Sequence, residues 1–170
     1  MKNYILSIIA LISVAYSCSD TNSVDIETLT EEATEFINAQ FDYFTNNSLE
    51  EAKTIWSEDA VLIGTDAAEY LVGWNEIKIA VKGMLAIENP IFKTRDLNII
   101  MSDSGDMASF TQILDLTFAM GEEPGEVKDI RNSGVVKKIG NSWKIVQNHW
   151  SIGLEGQAVE YLSLIHISEP

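Results

Sequence analysis

Residues 131–151 read RNSGVVKKIGNSWKIVQNHWS. Two runs rich in β-branched and aromatic residues flank Gly140-Asn141, a two-residue loop of the kind that accepts the positive φ of a tight hairpin. The stretch is therefore read as a hairpin of strands 127–139 and 142–152. Period-two alternation sets Trp143, Ile145, Gln147, His149 and Ser151 on one face of the second strand. Lys144, Val146, Asn148, Trp150 and Ile152 then take the other face, and Arg131, Ser133 and Val135 share a face of the first strand.

Working outward, residues 92–101 and 107–120 form a second strand pair across the turn SDSGD at 102–106, and Pro124-Gly125 marks a turn within 121–126. Further upstream the apolar period becomes helical. Leu29, Ala33, Phe36, Ile37, Phe41 and Phe44 recur at three- and four-residue steps and predict one helix over 27–45, ended by Asn46-Asn47. Ser48 with Glu51 has the form of a capping box and opens a short helix that buries Leu49, Ala52, Ile55 and Trp56. Residues 59–64 and 70–72 read as short strands; Gly73 breaks the second. Asn75 is placed to cap a helix running to Ile87, with Ile77, Val81, Met84 and Leu85 inward and Pro90 at its exit. The order α-α-β-β-α-β-β-β-β, helices followed by a long antiparallel sheet, is α+β.

The chain has 170 residues and a formal net charge of −15. A field of that sign repels phosphate backbones and anionic lipid heads, which excludes nucleic acid as an expected partner and leaves solubility as the plain reading of the acidity. One cysteine forbids an intramolecular disulfide, and the two histidines, His149 and His166, cannot complete a zinc cluster. No metal and no cofactor are expected.

At the N-terminus a short basic segment precedes an apolar run, ILSIIALISV at 5–14, too short to span a bilayer and suited to a secretion signal. Ala15 and Ser17 are small residues ahead of Cys18. This stretch resembles the lipobox of bacterial lipoproteins. It implies a signal over 1–17, acylation of Cys18, a tether over 18–26, and a lipid-anchored place in the bacterial cell envelope, with the anchor as the only membrane contact. The alternative is an ordinary secretory signal. Residues 27–152 are read as one domain and 153–162 as an extension, while 163–170 (SLIHISEP) look like translated sequencing-adapter read-through and stand outside the fold argument.

Three stretches carry a wider resemblance: WSEDAVLIGTD at 56–66, VGWNEI at 72–77, and the hairpin already quoted. Together, over roughly residues 31–152, they resemble the SnoaL-like branch of the nuclear transport factor 2-like superfamily. The resemblance implies a cone, a strongly bent antiparallel sheet wrapped around about three helices with a pocket at the open end, and frequent homodimers across the outer sheet face. Members range from polyketide cyclases, ketosteroid isomerases and dehydratases to non-enzymatic binding modules, so fold alone does not fix activity.

Arg131 and His149 are candidates for binding a small anion, and His149 for a general base; otherwise Arg131 pairs with a carboxylate and His149 is structural. The resemblance places Asp66, Glu69, Tyr70 and Trp74 at one rim of the pocket, where the aromatics would supply flat walls. Trp56 and Gln147 complete the candidate ligand-binding set. Asp115, in a strand among Thr111, Ile113 and Thr117, is either a carboxylate raised in pKa and fit for proton transfer or a solvated outer-face residue. Three functions follow as expectations. The leading one is an envelope-anchored module that binds a small apolar or anionic molecule. The others are a small acid–base isomerase, cyclase or hydratase, and a structural dimerisation domain.

Overall fold

Asp25 takes the N-cap of the first helix, α1 (Ile26–Ala39), accepting from the Thr28 backbone N–H at 3.1 Å. The single helix expected over 27–45 is broken. Gln40 closes α1, and a separate turn, α2 (Asp42–Thr45), follows Phe41. The break lets Gln40 sit buried with its amide donating to the Ile37 carbonyl at 2.8 Å. Helix α3 (Leu49–Ile55) starts from the expected Ser48 cap, whose hydroxyl accepts from Glu51 N–H at 3.1 Å, while the Glu51 carboxylate accepts from Asn46 and does not close the box.

Strands β1 (Trp56–Ile63) and β2 (Tyr70–Val72) lead into α4 (Trp74–Leu85). Gly73, at φ +79°, takes the cap position expected of Asn75, because a non-glycine residue rarely adopts that backbone. Asn75 lies inside the helix and accepts from Lys78. Then come β3 (Glu88–Met101), β4 (Met107–Met120), β5 (Glu123–Ile139) and β6 (Ser142–Ile152). Pro124-Gly125, expected in a turn, pair with Ala119 and Phe118 inside the β4–β5 ladder.

This computed structural model describes residues 25–120 and 123–153. The expected signal, Cys18, nearly all of the tether, and residues 154–170 lie outside the described residues.

The strands form one sheet in the order β2-β1-β6-β5-β4-β3. Every neighbouring pair is antiparallel except β1–β6, which is parallel, so the sheet is mixed and not wholly antiparallel. No hairpin joins β1 to β6, and nothing local dictates their relative direction. Register shifts interrupt four ladders. Asp96 and Asp129 adopt φ +55° and +57° at two of them, where an extra residue bends the strand. The bent sheet closes over α1 and α4, and the core runs through Ile37, Ile77, Leu114, Val136 and Ile145, each at most 2% exposed. Phe41, Phe44, Phe92 and Trp150 pack as an aromatic group within it, with Phe41 and Phe92 stacked at 4.6 Å.

Candidate functional site

The alternation of β6 changes phase midway. Val135 pairs with Gln147, yet Val136 pairs with Ile145, which leaves Val146 as the extra residue of a bulge. Before the bulge, Trp143 and Ile145 face the helices: Trp143 donates to Glu32 of α1 and Ile145 is buried. After it, Asn148 and Trp150 face the helices, Asn148 toward Gln40 and Trp150 edge-on to Phe41. Gln147, His149 and Ser151 are thereby turned to the outer face. The expected single row of Trp143, Ile145, Gln147, His149 and Ser151 is split between two sides of the sheet.

On the inner face the bulge brings four amides into one buried chain. Gln112 donates to Asn132 at 2.8 Å, Asn132 to Asn148 at 2.6 Å, and Asn148 to Gln40 at 3.4 Å. Asn132 also donates to the His149 carbonyl at 3.2 Å. The Gln112 side-chain oxygen, Oε1, finds no partner among the described residues.

The candidate ligand residues do not share a space. Arg131 and His149 do come together on the outer face, beside Thr111, Ser133, Ser151 and Asp96, in a shallow groove of about 370 Å³. Gln147 stands on that same face, and Tyr70 joins it through Ile63, whose register partners are Tyr70 and His149. Trp56 and Trp74 are core residues, 7% and 8% exposed. Trp56 lies against Tyr43, whose phenol is pushed up by burial, and its indole N–H forms no hydrogen bond of good geometry. Asp66 sits in the exposed loop between β1 and β2, accepting from Ala68 N–H at 2.8 Å.

Asp115 also belongs to the outer face. It accepts from Asp129 N–H at 3.1 Å and from Arg95 at 3.4 Å, and Arg95 pairs with Asp129 as well. The Asp129 backbone bond, then Arg95, hold its carboxyl below the usual carboxylate range, opposite to a raised proton shuttle. Its role is to tie the bulge of β3 to that of β5.

The hollow on the helix side, at the open end of the bent sheet, is formed by other residues. Leu62, Ala80, Met84, Leu116, Trp150 and Ile152 are among its walls, and Thr65 and Glu69 are its polar members, around about 280 Å³. A larger recess of about 830 Å³ opens on the far side of Phe41 and Phe92, between α2, the end of α4 and the start of β3, with Asp42 and Glu88 on its rim. The resemblance had drawn attention to Glu69 and to its loop. Period-two counting sets Trp150 and Ile152 opposite Trp143, whereas the bulge at Val146 brings them to its side, and that bulge leaves no mark in the residue types around it.

Glu69 is fixed by its loop. Its backbone carbonyl accepts from Gly64 at 2.8 Å, its N–H donates to Asp66 at 3.0 Å, and its Oε2 accepts from Asp66 N–H at 3.1 Å. The side chain lies directly across Gly64, where a Cβ would come within 2.0 Å of Oε2. Glycine at that position lets the Glu69 side chain lie against the backbone where both residues line the hollow.

Residues 33–155 match the model of the SnoaL-like domain. No curated protein matches the chain. Among solved structures, the chain is similar to a nuclear transport factor 2-like superfamily protein from Salmonella enterica serovar Typhimurium, with TM-score 0.65, 21% identity, and 77% of this chain and 96% of that one covered. It is also similar to a nuclear transport factor 2-like protein with a cystatin-like fold from Novosphingobium aromaticivorans, with TM-score 0.66, 16% identity and coverage of 82% and 90%. A third, from the same organism and provisionally assigned as a scytalone dehydratase, has TM-score 0.67, 13% identity and coverage of 76% and 88%. At these identities the likeness concerns fold.

Proposed function

This chain belongs to the SnoaL-like domain family, and we propose that it is a binding module whose open-end hollow holds a small, largely apolar molecule. The observation that carries the reading is the chemistry of the hollow's lining. Its walls are aliphatic side chains and the Trp150 ring, with Thr65 and Glu69 as the polar members of the lining. Such a lining removes an apolar ligand from water at about 25 cal/mol per Å² buried, while a few polar groups set its orientation.

Binding is favoured over proton transfer because the buried polar side chains facing the helices from β4, β5 and β6 are Gln112, Asn132 and Asn148. Amide side chains do not titrate near neutral pH, and an acid–base isomerase, cyclase or hydratase needs a titrating group near the operating pH. The outer face, where Arg131 and His149 stand, is assigned in this reading to a second copy of the chain. Cys18 attaches the module to the bacterial envelope by its acyl chains.

The hollow is tested with an environment-sensitive apolar dye. Wild type should bind it, and Leu116→Trp, which fills the hollow, should lose binding while retaining the far-ultraviolet circular dichroism of the wild type. Equal dye binding by the two proteins would refute the assignment. Cys18→Ala should move the protein from the detergent phase to the aqueous phase on partitioning; unchanged partitioning would remove the anchor.

A further inference from the structure

Resting on that binding reading and extending it, we infer that the molecule held in the hollow carries a protonated amine at one end, received by Glu69. Among the described residues, Glu69 is the one charged residue lining the hollow; the others are apolar apart from Thr65. Its position is built. Two backbone hydrogen bonds and the Asp66 N–H hold the loop and one carboxylate oxygen in place, and the absence of a side chain at Gly64 lets the Glu69 side chain lie against the backbone there. The backbone donor occupies Oε2 and leaves Oε1 to a ligand.

Among the described residues no cation lies within ion-pair distance of this carboxylate. The ion pairs among the described residues engage Arg95, Lys128 and Lys138, and none reaches Glu69. Arg131 lies on the opposite face of the sheet. The chain as a whole adds a background of −15. A carboxylate ligand entering beside Glu69 would meet like charge at short range, and that repulsion opposes its binding. A ligand with an ammonium head and an apolar body satisfies both parts of the site. The head completes a charge-assisted hydrogen bond to Glu69 and the body fills the space between Met84, Leu116 and Trp150. A neutral alcohol supplies the hydrogen bond without the charge and falls between the two.

The experiment displaces the apolar dye from the full chain at neutral pH with three probes of one body: n-hexylamine, n-hexanol and n-hexanoate. Wild type should prefer the amine over the carboxylate by about tenfold or more, with the alcohol between. Glu69→Gln should bring amine and carboxylate to within about twofold, and Glu69→Lys should reverse the order. Gly64→Ala, which displaces the carboxylate without removing its charge, should weaken the preference for the amine over the carboxylate. Equal binding of all three probes by wild type, or a preference that persists in Glu69→Gln, overturns the head-group inference and leaves the hollow as a binding site. Failure of the dye and all three probes to bind wild type overturns the binding reading itself, and this inference with it.

Discussion

Asn132 shows what a single interior residue does in this fold. At 1% exposure it accepts from Gln112, donates to Asn148 and donates to the His149 carbonyl. Asn132→Ala strands a donor on Gln112 and an acceptor on Asn148 in the core. Each unsatisfied buried group costs about 1–3 kcal/mol, so the variant should lose roughly 2–6 kcal/mol in urea unfolding. A loss within error of zero would show that the amides are not coupled. Asp115 makes the corresponding case on the outside. Its folded-state carboxyl is held below the ordinary 3.8 by Asp129 N–H and Arg95. A depressed carboxyl stabilises the native state above its unfolded value, and that stabilisation disappears as pH falls through the lower native value. The wild type should therefore lose melting temperature between about pH 5 and about pH 2 with a contribution that Asp115→Asn lacks. The pH profiles of the two proteins should converge at the acid end; parallel profiles would mean that Asp115 titrates alike in both states.

At the scale of elements, strand β4 and the extent of β6 were legible in the sequence, as were the Gly140-Asn141 hairpin and the Ser48 cap, because turn chemistry and apolar period act locally. The candidate site was legible less well, for a definable reason. Period-two reasoning assigns a face by counting, and one inserted residue inverts every later assignment. Val146 is such a residue, and it moved Gln147, His149 and Ser151 outward while bringing Asn148 and Trp150 in. A valine in a run of strand formers looks the same bulged or paired. Gly134 is the neighbouring position where the sequence does carry a mark. It pairs with Asn148, and a Cβ there would lie 2.5 Å from the Gln147 carbonyl and 2.7 Å from the Phe110 ring. The ring can shift slightly, but the carbonyl belongs to the ladder beside the bulge. Gly134→Ala should cost about 1–3 kcal/mol in denaturant unfolding. Adding Phe110→Leu relieves the ring contact alone and should not restore wild-type stability. Full recovery in the double variant would place the strain on the ring and not on the bulged strand.

For the whole molecule, the outward rotation of part of β6 gives the sheet a continuous outer surface. Register links Val72, Val61, Gln147, Val135, Ser109 and Ile100 in one row across all six strands. The adjacent row runs Tyr70, Ile63, His149, Ser133, Thr111 and Asn98. Tyr70, Val72 and Ile100 are 64%, 51% and 66% exposed, and the valines between them extend the apolar strip toward the centre. The strip crosses the molecule and is interrupted by neutral polar groups, while the Arg95–Asp115–Asp129 cluster lies to one side of it. A two-fold pairing over this face would bury the same row from each copy, so a substitution in its middle acts twice. The self-association proposed for this face therefore predicts that wild type sediments as a dimer and that Val135→Lys, placing two ammonium groups near the axis, sediments as a monomer. Because Val135 faces away from the helices, the variant should keep its circular dichroism and its binding of the apolar dye. Dimers that persist in Val135→Lys would move the interface elsewhere, and a wild type that stays monomeric at high micromolar concentration would leave Arg131 and His149 facing solvent.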